Sequence, residues 1–242
     1  KHWWMKDIPD KNWFNTWKNY TSSNYRITAW TDPHASEADR EKLIKGWFAP
    51  NMPDLNLNFP LLFDYLRQAY IFWIEYAGID GMRVDTYPYN DIKAASRFIQ
   101  SILDEYPKMN VVGECWVKTP AETAYYQTGN RNTGGFDSHL SSVMDFCLKD
   151  VFSMAFNEKE GWENGMIRFY SHFAQDFVYP NSDLIMTFLD NHDIDRFQTA
   201  VKNDIAKYKM ALAMLLTVRG YPQIYYGTEI MMPGIPGSYE GH

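Results

Sequence analysis

The sequence predicts an α/β fold whose parallel strands form part of a (β/α)8 barrel. Three carboxylates lead to this prediction, because Asp85, Glu114 and Asp193 each stand at the end of an apolar, strand-like segment. In a parallel barrel the C-terminal ends of the strands meet on one face, so residues distant in the sequence can converge there. A strand–helix–strand step takes roughly 30 residues. The separations of 29 and 79 residues between these carboxylates therefore fit one step and about two.

Short apolar runs alternate with segments in which apolar residues recur at helical spacing. The predicted strands are residues 79–84, 110–114, 134–138, 184–189 and 223–226, and the predicted helices are residues 61–77, 92–106, 140–156 and 205–216. Gly78, Pro107 and Gly220 supply the stop signals. Five strands leave an eight-stranded barrel three short. The chain, which opens at Lys1, is therefore expected to be a piece of a longer protein.

The segment before the first predicted helix has a different character. Residues 1–58 carry six of the nine tryptophans among Asn, Asp, Ser and Pro, with no sustained helical or alternating period. The six are Trp3, Trp4, Trp13, Trp17, Trp30 and Trp47. We predict an irregular excursion over residues 1–58 and a barrel portion over residues 59–242.

Composition and charge exclude several functional classes. The 242 residues are 45% hydrophobic, which suits one sizeable core. A net charge of −7 without a basic run argues against a nucleic-acid partner, because phosphate binding needs clustered Lys and Arg. No apolar run approaches the about 20 residues of a membrane span. The two cysteines, Cys115 and Cys147, exclude a multi-cysteine zinc site and are expected to be buried free thiols.

The residues that make up the motifs point to one family. Three main blocks and two weaker ones occur in that family's order: Gly81-x-Arg83-x-Asp85, Gly113-Glu114-x-Trp116, Asp190-Asn191-His192-Asp193, Met52-Pro53-Asp54-Leu55-Asn56, and Gly220-Tyr221-Pro222 with Tyr226-Gly227-Thr228-Glu229. Through them the chain resembles the α-amylase family of glycoside hydrolases and transferases. Any single block is weak, whereas all of them in order are hard to obtain by chance.

The resemblance implies a partial TIM barrel, from its central strands to its C-terminal part. Residues 1–58 would correspond to the excursion called domain B in this family. The early strands, which include a motif ending in Asn-His that lines the sugar site, and the C-terminal β-sandwich have no counterpart in this chain.

The resemblance also implies retaining hydrolysis of α-glucosidic bonds in starch-like glucans or maltooligosaccharides. Asp85 matches the nucleophile, Glu114 the acid/base and Asp193 the third carboxylate, which binds substrate hydroxyls and stabilises the positively charged transition state. Such an enzyme protonates the leaving oxygen with one carboxyl group and attacks the anomeric carbon with another about 5–5.5 Å away. Arg83 lies on the same strand face as Asp85, where its charge would favour the carboxylate form. By itself, this pair could equally be an ordinary strand-end salt bridge.

Further residues are predicted to bind substrate. His192 would donate to the same sugar as Asp193, and Tyr87, Tyr89 and Trp116 follow the catalytic strand ends, where rings can stack on sugars. Typical α-amylases have Lys-His where this chain has Pro88-Tyr89. We therefore favour a neopullulanase or cyclomaltodextrinase type over an endo-acting α-amylase.

Two alternatives stay open. A transglycosylase would use the same residues, since only the acceptor differs. A sugar-binding protein that has lost activity would need the aromatics but not all three carboxylates, so their joint presence argues against it. The cluster that ends in Asp193 and Asp195 could also be read as a metal site, but it lacks the glycine and distal glutamate of a calcium loop.

The remaining expectations concern cofactors, assembly and compartment. The chemistry requires no cofactor. The family often carries structural calcium, part of whose ligands lie in the missing segment, and no metal-binding residue is predicted here. The expected partner is an α-glucan or maltooligosaccharide, and a homo-oligomer is compatible with the sequence. The compartment stays open, with an extracytoplasmic (periplasmic or secreted) location as the working hypothesis.

Overall fold

The computed structural model describes residues 10–131 and 135–235. Trp3, Trp4 and the first residue of the predicted strand 134–138 lie outside the described residues. The described chain divides into two compact units, one of residues 10–114, 131 and 135–140 and the other of residues 115–130 and 141–235. The predicted boundary between residues 58 and 59 lies inside the first unit, and the predicted domain division stays a prediction.

Helices and short strands alternate through most of both units. The helices are α1 (Glu37–Lys45), α2 (Pro60–Ala77), α3 (Ile92–Leu103), α4 (Pro120–Tyr125), α5 (Phe146–Asn157), α6 (Ile167–Phe173), α7 (Phe197–Ala200) and α8 (Ile205–Leu215). The strands are β1 (Gly81–Val84), β2 (Asn110–Gly113), β3 (Ser142–Val143), β4 (Met186–Phe188) and β5 (Tyr221–Gln223).

Local signals explain where the principal helices begin and end. Helix α2 has a proline at its first turn and ends at Gly78, whose φ of +62° allows its N–H to bond to the carbonyl of Ile74. The Asp91 and Asp204 side chains accept backbone N–H groups at the starts of α3 and α8. The predicted helices 61–77, 92–106 and 205–216 are thus confirmed, although α3 ends three residues early.

The strands pair in parallel, as the sequence predicts. In the first unit Gly81 pairs with Asn110 and Val84 with Gly113, which aligns the C-terminal ends of β1 and β2. In the second unit β4 pairs with β5 in parallel, and Met144 forms a parallel bridge to Met186. Strand β5 lies two to three residues before the predicted 223–226.

The predicted strand 134–138 and the predicted start of a helix at Leu140 are wrong. The Asp137 side chain accepts the N–H of His139, and the Ser138 hydroxyl accepts the N–H of Leu140. Such local side-chain bonds compete with a strand ladder and hold turns. The strand forms further on, as β3, and Asp145 then caps α5 by accepting the N–H of Leu148.

The excursion is largely irregular over its described part, but α1 was not predicted. Ser36 caps α1 through the N–H of Asp39, and Leu43 is its buried residue. A helix with so few apolar residues shows no hydrophobic period in the sequence, which is why pattern reading misses it. Near its beginning the excursion packs Trp13 and Phe14 against Leu62 of α2.

The second unit has an apolar core of phenylalanine and aliphatic side chains from α5 to α8 and the end of β4. Cys115 and Cys147 are buried free thiols, as predicted. No helix among the described residues is both long and apolar enough to cross a bilayer.

A buried ionic network also lies in the second unit. Asp145 is fully buried and accepts a 2.7 Å bond from Arg219, whose guanidinium also binds Asp176. The Nε2 atom of His172 lies 3.7 Å from the Asp145 carboxylate. Burial raises the pKa of Asp145, but the His172 hydrogen bond and the charges of Arg219 and His172 more than offset it and hold that pKa below its usual range.

Candidate active site

Strand β1 carries Arg83 near its C-terminal end, and Asp85 follows directly after the strand. Side chains alternate along a strand, so Arg83 and Asp85 share one face, whereas the side chain of Met82, which precedes Arg83, is buried. A guanidinium nitrogen of Arg83 lies 2.6 Å from Oδ1 of Asp85. The Asp85 side chain is 66% exposed, so it is open to an incoming molecule.

Glu114 follows directly on β2, beside Asp85. Its N–H continues the parallel pairing by donating to the carbonyl of Val84 at 2.9 Å. Its carboxylate binds the second guanidinium nitrogen of Arg83 at 2.8 Å and accepts the Thr86 N–H at 2.8 Å. Arg83 therefore bridges the two carboxylates that the sequence predicts as nucleophile and acid/base.

The environment of Glu114 favours its protonated form. Its side chain is 6% exposed, and this burial is the largest cause of a raised pKa. The Thr86 N–H opposes the rise, a hydrogen bond with Asp85 adds to it, and the Arg83 charge opposes it. The net direction is upward, whereas the neighbouring Asp85 is solvated, so the two carboxyl groups stand in different environments.

Sequence reading missed the part played by Thr86. Its backbone adopts a left-handed conformation, with φ of 46° and ψ of 38°, which is uncommon for a residue other than glycine. This conformation turns its N–H toward the Glu114 carboxylate. No residue-type signal marks it, because threonine rarely adopts this geometry unless the surrounding structure holds it there.

The two predicted sugar-stacking tyrosines differ in exposure. Tyr87 is fully buried and donates its N–H to the carbonyl of Glu114, so its burial argues against the predicted stacking role. Tyr89 is half-buried and packs edge-on against Phe48, with ring centroids 4.8 Å apart. The indole N–H of Trp30 donates to the Pro88 carbonyl at 2.7 Å and so holds the turn that carries Tyr89.

Tyr89 lines a cleft of about 210 Å³ within the first unit. Its wall includes Thr86, Phe48, Leu55 and Asp54, the last of these from the weak motif at residues 52–56. Burial raises the pKa of Asp54 to about 7, against the opposing hydrogen bond from the Asn15 amide. The cleft therefore adjoins Glu114 through Thr86 and holds a second carboxyl group with a raised pKa.

The third predicted carboxylate lies in the second unit, on the loop after β4. Asp190 and Asn191 are buried, and Oδ1 of Asn191 accepts the N–H of Asp193 at 2.9 Å. His192 is exposed, and its Nε2 lies 3.2 Å from Oδ2 of Asp193. The buried half of the motif thus holds the backbone while the His192–Asp193 half faces outward.

Trp116 also belongs to the second unit. Its ring stacks on Phe146 with centroids 4.6 Å apart and an interplanar angle of 17°. It stays 36% exposed, so it is a rigid aromatic surface that a sugar ring could cover.

The structure thus brings together Arg83, Asp85 and Glu114 in one unit, and His192 with Asp193 in the other. The convergence of all three carboxylates and the individual roles stay predictions. Within residues 10–131 and 135–235, no three His, Cys, Asp or Glu side chains are grouped so that they could hold a metal ion.

The chain is similar to known alpha-amylases and cyclomaltodextrin glucanotransferases along most of its length. The family model described as the alpha amylase catalytic domain matches residues 1–240. An alpha-amylase from Niallia circulans is 34% identical over 184 residues, which is 76% of this chain and 33% of that protein. A cyclomaltodextrin glucanotransferase from Thermoanaerobacterium thermosulfurigenes is 32% identical over 76% of this chain and 24% of its own length. This chain therefore spans a third or less of these relatives.

Solved structures of alpha-amylases are also similar to this chain. The alpha-amylase from Geobacillus thermoleovorans, solved in complex with acarbose, is 26% identical and superposes with a TM-score of 0.78 over all of this chain and 49% of its own. An Anoxybacillus alpha-amylase has the same TM-score at 25% identity, over 98% of this chain and 48% of its own. With a family model that spans nearly all of its residues and relatives above 30% identity, this chain belongs to the alpha-amylase catalytic-domain family.

Proposed function

We propose that the protein of which this chain is part hydrolyses α-glucosidic bonds by a retaining double displacement. The observation that carries the proposal is the Arg83 bridge between a solvated Asp85 and a buried Glu114 with a raised pKa. One guanidinium contacts both carboxylates, at 2.6 Å and 2.8 Å, so they lie close together, which favours the about 5–5.5 Å spacing of retaining enzymes over the about 6.5–9.5 Å of inverting ones.

In the first step protonated Glu114 donates its proton to the glycosidic oxygen, and an Asp85 oxygen bonds to the anomeric carbon as the bond to that oxygen breaks. The products are a glycosyl ester of Asp85 and the free leaving sugar. In the second step the Glu114 carboxylate takes a proton from water, whose oxygen displaces Asp85 and restores both groups. Arg83 keeps both carboxyl groups oriented through the cycle.

The other predicted residues would hold the substrate. We assign Asp193 to substrate hydroxyls and to the positive charge of the transition state, and His192 to the same sugar. Trp116 and Tyr89 offer exposed or half-exposed rings for stacking. The backbone N–H of Tyr87 instead supports the Glu114 carbonyl.

Starch-like α-glucans and maltooligosaccharides are the proposed substrates. The Pro88-Tyr89 pair, which stands where typical α-amylases have Lys-His, supports the neopullulanase or cyclomaltodextrinase type of specificity. Transglycosylation is the second candidate, because a cyclomaltodextrin glucanotransferase is among the relatives above 30% identity. Both candidates use the same ester intermediate and differ in whether water or a sugar attacks it.

The first test uses the complete protein with starch, pullulan and cyclomaltodextrin, following the products by NMR. A product that first appears as the α-anomer supports retention, and a β-anomer overturns the mechanism. New oligosaccharides longer than the substrate would favour the transferase. No turnover of any α-glucan would refute the proposed function.

The second test is Asp85→Asn, because an amide cannot attack the anomeric carbon. We expect kcat to fall on the order of 10³-fold or more, with oligosaccharide binding retained in calorimetry. Asp64→Asn, an exposed aspartate on α2, is the matched control and should leave kcat unchanged. Full hydrolysis by Asp85→Asn would refute the nucleophile assignment.

A further inference from the structure

The loop that carries Asp193 contains an arginine with an uncommon environment. Arg196 is 1% exposed and, among the described residues, is the largest side chain that is fully buried. An ionised group in such a place costs free energy unless it is well compensated, and a guanidinium cannot lose its proton as a lysine can.

The compensation comes from the segment after β5. The Arg196 guanidinium carbon lies 4.2 Å from the ring centroid of Tyr225 and 4.8 Å from that of Tyr226. One of its nitrogens donates to the Tyr226 carbonyl at 2.6 Å, and the other lies 3.6 Å from the sulfur of Met232. Within the described residues no carboxylate forms an ion pair with it, so aromatic faces and a backbone carbonyl hold the charge.

Arg196 stands three residues after Asp193 on the same short loop. Asn191 holds the N–H of Asp193 from one side. Asp190 accepts the N–H of Phe197 at 2.9 Å, which ties the two ends of the loop together. Residues 190–197 therefore form a closed loop, and Arg196 is the side chain that clamps it to residues 225–232.

We propose that Arg196 is a positioning residue for Asp193 and acts by clamping this loop to the tyrosine pair. The inference rests on the proposed function, in which Asp193 stabilises the transition state. A planar guanidinium suits the task because it packs over the two aromatic rings and donates a hydrogen bond in its own plane at the same time. An ammonium group keeps the charge but cannot do both.

The test is a double-mutant cycle in the complete protein. Arg196→Lys should lower kcat about 100-fold, the loss that a displacement of about 1 Å can cause, with KM changed less than about threefold. In an Asp193→Asn background the same substitution should lower kcat less than about threefold, because the residue it positions is already disabled. Equal losses in both backgrounds, or an unchanged kcat, would overturn the proposal.

Three further measurements secure the interpretation. Arg168→Lys alters a half-buried arginine paired with Glu158 in the same unit and should leave kcat unchanged. If Arg196→Lys does not fold, Tyr225→Leu removes one ring from the guanidinium and should lower kcat about fivefold, again only when Asp193 is present. Wild-type protein inactive on every α-glucan would refute the proposed function itself, and this inference with it.

Discussion

Two regions of this molecule combine an arginine with two carboxylates and reach opposite results. In the first unit Arg83 contacts Asp85 and Glu114, and the pKa of Glu114 is raised. In the second unit Arg219 contacts Asp145 and Asp176, and the pKa of Asp145 is lowered. Each region contains one arginine and two carboxylates, so these charges alone do not explain the difference.

The number and direction of the compensating bonds explain it. Asp145 is fully buried but receives Arg219, His172 and the Leu148 N–H, which together outweigh the burial. For Glu114, the Thr86 N–H and the Arg83 charge do not outweigh burial, and a hydrogen bond with Asp85 raises its pKa further. Where the compensating bonds outweigh burial, as at Asp145, the network stabilises a charged carboxylate. Where they do not, as at Glu114, the carboxyl group holds a proton more readily and can donate it.

The largest expected effect is a difference in the free energy of unfolding between variants at the two arginines. Arg219→Met should lower the free energy of unfolding by about 3–5 kcal/mol, because it leaves Asp145 buried without its cation. Arg83→Met should lower it by less than about 1 kcal/mol, since Asp85 is solvated and Glu114 can take up a proton. Urea denaturation at neutral pH, followed by tryptophan fluorescence, measures both. Equal losses would contradict the distinction drawn between the two networks.

A smaller effect concerns Asp54, a carboxylate bonded by an amide and not by a cation. Its folded pKa of about 7 lies above the usual 3.8, so its stabilising contribution is complete below pH 4 and is lost as the pH rises through 7. The full shift would correspond to about 4 kcal/mol, but Asp54 is only partly buried, so we expect Asp54→Asn to remove about half of that, on the order of 2 kcal/mol, from the decline in wild-type stability between pH 4 and 8. Parallel profiles for wild type and variant would show that Asp54 does not titrate in this range. The Asp64→Asn variant should follow the wild type and controls for the loss of one charge.

The smallest effects should have opposite signs at the two sites. The raised pKa of Glu114 means that wild-type protein loses stability relative to Glu114→Gln as the pH rises above 4.5. The lowered pKa of Asp145 means that wild type loses stability relative to Asp145→Asn as the pH falls below 3.8. Thermal unfolding midpoints from pH 2 to 8 test both slopes. The same slope for both variants would refute the comparison.

The sequence predicted the parts of the fold that depend on local patterns. Gly78 ends α2 and the register of β1 with β2 brings Asp85 beside Glu114, as the spacing of 29 residues indicated. Residues 135–138 do not form the predicted strand because the side chains of Asp137 and Ser138 accept the N–H groups of His139 and Leu140, an effect that strand propensities do not include. Helix α1 was missed because it is mostly charged.

The sequence by itself therefore determined the family, the strands β1 and β2 with the helices α2, α3 and α8, and the carboxylates proposed for catalysis, since motifs and apolar periods are local properties of the chain. Only the tertiary structure decided that Glu114 is buried and Asp85 solvated, that the ring of Tyr87 is hidden, and that Arg196 is enclosed by Tyr225 and Tyr226. The physical reason is that solvation and hydrogen bonding depend on groups far away in the sequence, and these set the proton affinity of each carboxyl group.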